Sequence, residues 1–209
     1  MEGVRMNGTN KSRLPLYAFV GFTSLMFAFP AEAHLNSTGL GPFYDGLMHF
    51  LMSPEDIVPV LALALLAGLR GAAHGRRALL VMPTAWFVGG IVGASSVAAN
   101  VHPIIAAAWF LLLGGLLAAD AKLSLRVTTA LAAFLGIYHG YLNGTGMGQS
   151  MSAVVVLLGL VFAIFVLVAL AAAFVVRLHA QWARIAVRVA GSWIAASGLL
   201  MLGWAVRPS

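Results

Sequence analysis

From residue 54 onward the chain is a succession of six apolar stretches, at about 54–73, 78–99, 103–119, 124–142, 150–176 and 185–206. A helix that crosses the hydrocarbon of a bilayer needs about 20 mainly apolar residues, and each stretch comes near that length. Only 9% of the residues are charged and 61% are hydrophobic, whereas a soluble domain carries about 25% charged residues. Such a chain cannot cover a water-facing surface. The sequence therefore predicts an all-α polytopic membrane bundle of six transmembrane helices, because a helix satisfies its own backbone in lipid. The first stretch opens on Ser53, Pro54, Glu55 and Asp56. Ser53 can cap, proline suits the first helical position, and the two acids favour the positive end of the helix dipole. Pro59 interrupts its opening turns. Residues 43–52 (FYDGLMHFLM) are too few to cross and predict a short helix in the outer interface.

The first 33 residues read as a signal peptide. Arg5, Lys11 and Arg13 form a basic n-region, Leu14 to Phe29 an apolar core, and Ala31-Glu32-Ala33 an A-x-A cleavage site. Cleavage leaves a single mature domain, residues 34–209, that begins at His34. It also places that residue on the outer, periplasmic side of a bacterial inner membrane, and six crossings return the C-terminus there. Basic residues test this orientation independently. The inner loops hold Arg70, Arg76, Arg77, Lys122, Arg126, Arg177, Arg184 and Arg188, and the outer segments hold Arg207 alone. That asymmetry is what positive-inside topology requires. The net charge of +6 thus comes from short clusters between apolar runs, which orient a membrane protein and do not make a nucleic-acid-binding face. Gly89 and Gly93, and Gly136, Gly140 and Gly144, recur every fourth residue and predict close helix contacts.

With the sides assigned, the polar residues separate sharply. His34, Asp45, His49, Glu55, Asp56, His102 and His139 fall on the outer side, where almost no basic residue can pair them. Unpaired carboxylates attract cations, and ionisable groups at membrane depth are functional candidates by default. Asp45 and His49 stand one helical turn apart, which suits either an ion pair or two ligands on one metal. His139 lies near the outer end of a glycine-rich span, with Asn143 one turn on. Asp56 has a sufficient role as a helix-start acid and is also a candidate to face the site. His102, before Pro103 in an outer turn, is a weaker candidate, as is Asn143. His74 and His179 lie among inner arginines and are expected to be solvated.

His34 is distinctive because a free α-amine and its own imidazole can chelate one ion. Cysteine is absent, which excludes disulfides and thiolate sites. Imidazole, amine and carboxylate together suit Ni²⁺, Co²⁺, Cu²⁺ or Zn²⁺. Met48, Met52, Met147 and Met151 also fall on the outer side and would suit Cu(I), although methionine is common filler in apolar segments. The predicted metal residues are therefore His34, Asp45, His49, Asp56 and His139, with His102 and Asn143 behind them.

The segments GPFYDGLMHF, LALALLAGLRGAAHGRRALLVMPTAWFVGGIVG and YHGYLNG, in that order, resemble the HupE/UreJ family of small bacterial membrane proteins. The family is regarded as nickel or cobalt permeases linked to hydrogenase and urease operons. The resemblance implies metal handling by an acid/histidine motif near the first span, which Asp45 and His49 match. It also implies a later H-G-x-x-H-G-x-E motif, which His139 opens. Asn143 stands in place of the second histidine and no glutamate follows. A permease that captures the ion outside and passes it inward is the leading expectation. The membrane potential would drive it, at about 4.6 kcal/mol per 100 mV for a divalent ion. A non-conducting membrane chaperone serving a metalloenzyme maturation system is the alternative, because Asp120 is the sole acid of the inner half. The expected partners are membrane lipid and the metal ion. No HExxH, G-x-S-x-G or P-loop pattern occurs, so catalysis and nucleotide hydrolysis are not expected.

Overall fold

The computed structural model describes residues 38–96, 102–147 and 152–207, all within one compact unit. The predicted signal segment 1–33 and His34 lie outside the described residues. Seven helices follow in order: α1 (Pro42–Met52), α2 (Pro54–Arg70), α3 (Ala72–Ala94), α4 (Pro103–Ala118), α5 (Leu125–Met147), α6 (Ala153–Val176) and α7 (Gln181–Ala205). No strand occurs among the described residues. The all-helical expectation holds. By length and apolarity α3, α6 and α7 can each cross a membrane, and α1 with α2 make a fourth crossing if that bent pair is one span. α4 is apolar but has 16 residues, about 24 Å at 1.5 Å per residue, short of a 30 Å hydrocarbon core. α5 is long enough at 23 residues, but its run is diluted by Thr128, Thr129, His139, Asn143 and Thr145.

The breaks between helices have local causes. Pro54 keeps Ser53 out of the helical region, and Ser53 is extended at φ −101°, ψ 93°. Its hydroxyl donates to the His49 carbonyl, closing α1. α1 and α2 consequently meet at 75°. Pro59 sits inside α2 and does not end it. Gly71, at φ 106°, is the single residue between α2 and α3, so the loop expected over 74–77 is helix. α4 closes with Asp120 N–H donating to Leu117 O and Ala121 N–H to Leu116 O, a Schellman ending that requires a left-handed residue. That residue is Asp120, at φ 50°.

Small residues fix the packing. A Cβ on Gly136, Gly140 or Gly144 of α5 would collide with the backbone oxygen of Met82, Trp86 or Gly90, and one on Gly89 or Gly93 of α3 would collide with Ile137 or Tyr141. Both series rise together, so α3 and α5 run in the same direction with backbones in contact. α4 and α7 run oppositely, with Gly114 against Ala195 and Gly198 against Leu111. Gly46 of α1 meets Val156, and Phe43 meets Gly159 of α6. α2 is the central helix, with Leu63, Leu66 and Val60 fully buried. These contacts gather Asp56, His49, His139 and Asn143 at one end. Arg70, Asp120, Arg184 and Arg188 lie at the other. There Arg70 pairs with Asp120, Arg184 donates to Leu69 O and Arg188 to Ala118 O. The two arginines cap C-terminal carbonyls, where a cation also complements the helix dipole.

Candidate metal site

Asp56 occupies the first turn of the central helix, where a carboxylate is favoured by the dipole. It is nonetheless 4% exposed, and a buried charge must be compensated by hydrogen bonds. Two side chains of α5 supply them. His139 Nδ1 lies 2.8 Å from Asp56 Oδ1, and Asn143 Nδ2 donates to Asp56 Oδ2 at 2.9 Å. Asn143 Nδ2 also reaches the His139 carbonyl at 3.0 Å. Beyond it, His49 Nε2 lies 2.9 Å from Asn143 Oδ1. The four side chains form one unbroken chain, from half-buried His49 on α1 to buried His139 on α5.

Elementary valence orients this chain. An ionised carboxylate only accepts hydrogen bonds, so His139 carries its proton on Nδ1 and Asn143 presents its NH₂ group to Asp56. The amide oxygen of Asn143 then faces His49 and must accept, so His49 carries its proton on Nε2. The ring nitrogens that these bonds leave unused are Nε2 of His139 and Nδ1 of His49. His139 Nε2 is buried and has no hydrogen-bond partner among the described residues. A carboxylate that fixes the tautomer of a histidine and leaves its other nitrogen free is the outer-shell arrangement of metal-binding histidines.

The surroundings of His139 are aromatic. Its ring lies 5.4 Å from Trp86, 6.0 Å from Trp109 and 5.2 Å from Tyr138 between centroids. Aromatic rings attract cations through their faces, so these neighbours are compatible with a positive charge near His139. Trp86 is positioned by the glycine row that brings its backbone against Gly140. Its own indole N–H is buried without a partner among the described residues. Trp86, Trp109 and Tyr138 carry no mark in the sequence that sets them apart from other apolar residues of the spans, and the one available signal is the Gly136–Gly140 spacing that draws α3 onto α5.

Other predicted residues are placed elsewhere. Asp45 does not hydrogen-bond to His49; its Oδ1 accepts from Thr38 N at 2.6 Å and Thr38 Oγ1 at 2.7 Å. Those two donors hold the Asp45 carboxyl below its ordinary range. His102 is exposed at the start of α4. His34 is outside the described residues. His74 differs from expectation: both ring nitrogens are buried without partners among the described residues, because the one-residue link at Gly71 leaves no loop in which it could be solvated. His179 is exposed. Among the described residues no three His, Cys, Asp or Glu side chains converge as a closed metal cluster.

The family model described as HupE / UreJ protein matches residues 22–201. No curated protein matches, and no solved structure does.

Proposed function

The chain belongs to the HupE/UreJ family, and on that premise we propose that it is a permease for a divalent transition-metal ion in the bacterial inner membrane. Ni²⁺ and Co²⁺ are the cargo that the family suggests, and Cu²⁺ and Zn²⁺ suit the same donors. The reading places six crossings in the bilayer, with α1 at the outer interface and both mature termini in the periplasm. The observation that carries it is the buried, unpartnered Nε2 of His139, whose ring is held by Asp56 through Nδ1.

In this mechanism the ion loses water in stages. His49, half-buried and set through Asn143, offers the first imidazole nitrogen. Asp56, whose charge neither Arg nor Lys compensates at that end, draws the cation inward. His139 Nε2, with Trp86 and Trp109 beside its ring, receives it in the buried site. An open chain of two imidazoles, one carboxylate and one amide suits an ion that must leave again, whereas a closed tetrahedral cage holds its metal. Asn143 replaces the second family histidine and contributes an amide oxygen in place of a nitrogen, which weakens binding to a borderline ion. Before the ion reaches this site, the His34 chelate of the processed chain would concentrate it at the surface.

One observation favours a second reading, a non-conducting metal chaperone. At the arginine-rich end Asp120 is already tied to Arg70, so no free carboxylate is available there to receive an ion from His139. Proteoliposomes containing a metal-sensitive dye, with an inside-negative potential imposed, separate the two. A permease gives a potential-dependent dye response that His139→Ala and Asp56→Asn abolish. A protein that binds metal stoichiometrically with no dye response is the chaperone, and one that does neither overturns both readings.

A further inference from the structure

α6 and α7 follow one another in sequence, yet α7 packs along α4 and not along α6. Between the C-terminal end of α6 and the N-terminal end of α7 this leaves an open cleft of about 620 Å³. Its floor is Leu65, Ala183 and Val187, and Phe174 and Trp182 form its walls. The last two are 61% and 74% exposed. Arg177 and His179 stand at its rim. Both helices are long and apolar enough to cross a membrane, so the cleft opens sideways into lipid with its polar rim at headgroup level. An exposed indole at that level is the usual membrane-interface anchor.

The charge around the rim is uncompensated. The arginine-rich end holds eight basic residues against one acid, and that acid, Asp120, is paired with Arg70. No hydrogen bond or ion pair occupies the Arg177 side chain among the described residues. The start of α7 adds to the deficit. Ala180 is its N-cap, no side chain caps it, and no acid lies in its first turn; Ala183 and Arg184 N–H donate to Ala180 O, which leaves the N–H groups of Gln181 and Trp182 without a side-chain acceptor among the described residues. An apolar floor, an aromatic wall and a cationic rim on one membrane-facing cleft match one class of molecule, a phospholipid with a net negative headgroup.

We propose that this cleft binds an anionic phospholipid, with its acyl chain along Leu65, Ala183 and Val187 and its headgroup on Arg177 and His179. The lipid fills the gap between α6 and α7 and holds α7 to the bundle at this end. The proposal needs the chain to span a bilayer and does not depend on any cargo.

Native mass spectrometry of the full chain in detergent tests it, with phosphatidylglycerol and phosphatidylcholine of matched acyl chains added in equal amounts. One bound phosphatidylglycerol is expected, in preference to phosphatidylcholine by roughly fivefold for each basic residue engaged. Arg177→Gln with His179→Gln, both at exposed positions, should abolish the preference. Ala186→Phe, which fills the cleft and leaves the charges in place, should abolish retention. Lys122→Gln with Arg126→Gln, exposed at the same end but outside the cleft, should change neither. Equal retention of the two lipids by the unaltered chain would overturn the proposal. So would retention unaffected by Arg177→Gln with His179→Gln or by Ala186→Phe, or an equal loss in the Lys122/Arg126 variant.

Discussion

Gly140 gives the most demanding test of how packing holds the metal site. A Cβ at this position would lie 2.8 Å from both C and Cα of Trp86 and closer still to its oxygen. These are backbone atoms that cannot rotate away, and the oxygen contact is the tightest, so α3 and α5 must part by more than about 1 Å to restore an ordinary contact of about 3.4 Å. Overpacking of this kind costs about 1–3 kcal/mol, and the better helix propensity of alanine returns about 1 kcal/mol. The net loss for Gly140→Ala is therefore up to about 2 kcal/mol, a fall of roughly 4–8 °C in Tm for a chain of this size. Function should suffer more than stability. His139 adjoins Gly140, and its 2.8 Å bond to Asp56 has little slack before it passes 3.5 Å, so metal uptake should fall sharply although no ligand has changed. Gly146→Ala, on the same helix with nothing near its Cβ, should be neutral or slightly stabilising. Thermal unfolding in detergent and dye-based uptake, run on both variants, decide the matter. Unchanged Tm and uptake in Gly140→Ala would refute the backbone contact and, with it, the argument that the glycine row positions His139.

Four further outcomes are expected. Asn143→Ala leaves Asp56 Oδ2 and His49 Nε2 without partners, which should cost about 1–3 kcal/mol and lower Tm and metal affinity together in calorimetric titration. Asp120→Gly relieves a left-handed backbone but leaves the guanidinium of Arg70, whose side chain is 12% exposed, without its carboxylate. A drop in Tm is expected, partly restored by adding Arg70→Met, and a rise in Tm for the single variant would show that the ion pair contributes less than the turn. In the cysteine-free background, Leu40→Cys should react with an impermeant maleimide added to whole cells with permeabilised outer membranes, and Lys122→Cys should not. Labelling of both would contradict the proposed orientation. The intact mass of the protein purified from membranes should correspond to a chain beginning at His34, and a chain retaining Met1 would remove the α-amine chelate from the mechanism.

The sequence made the helices legible, because apolar runs, prolines and glycines act through neighbours in the chain. The start of α2 at Pro54, close helix contacts at Gly89 and Gly140, and the segregation of arginines from acids could all be read that way, but not which helices the glycines join. The ends were less legible. Gly71 turns the chain in one residue, so α3 starts at Ala72 where a loop was expected, and α5 continues past 142 to Met147. Within the candidate site the limit is one of distance along the chain. Asp45 and His49 are one turn apart, and sequence spacing naturally pairs them, but in the fold each bonds elsewhere. His49 meets Asn143 at a separation of 94 residues, and Asp56 meets His139 and Asn143 at separations of 83 and 87. Nothing local signals such pairs. Asp56 in particular has a sufficient explanation as a helix-start acid, and that explanation does not compete with the other. The helix dipole lowers the cost of burying its charge, and burial is what leaves the carboxylate free to set two histidine tautomers away from water. A residue with an adequate structural role is thus a poor one to dismiss when it also lies at membrane depth. Capping places the charge, and the partners brought by distant helices decide what it does.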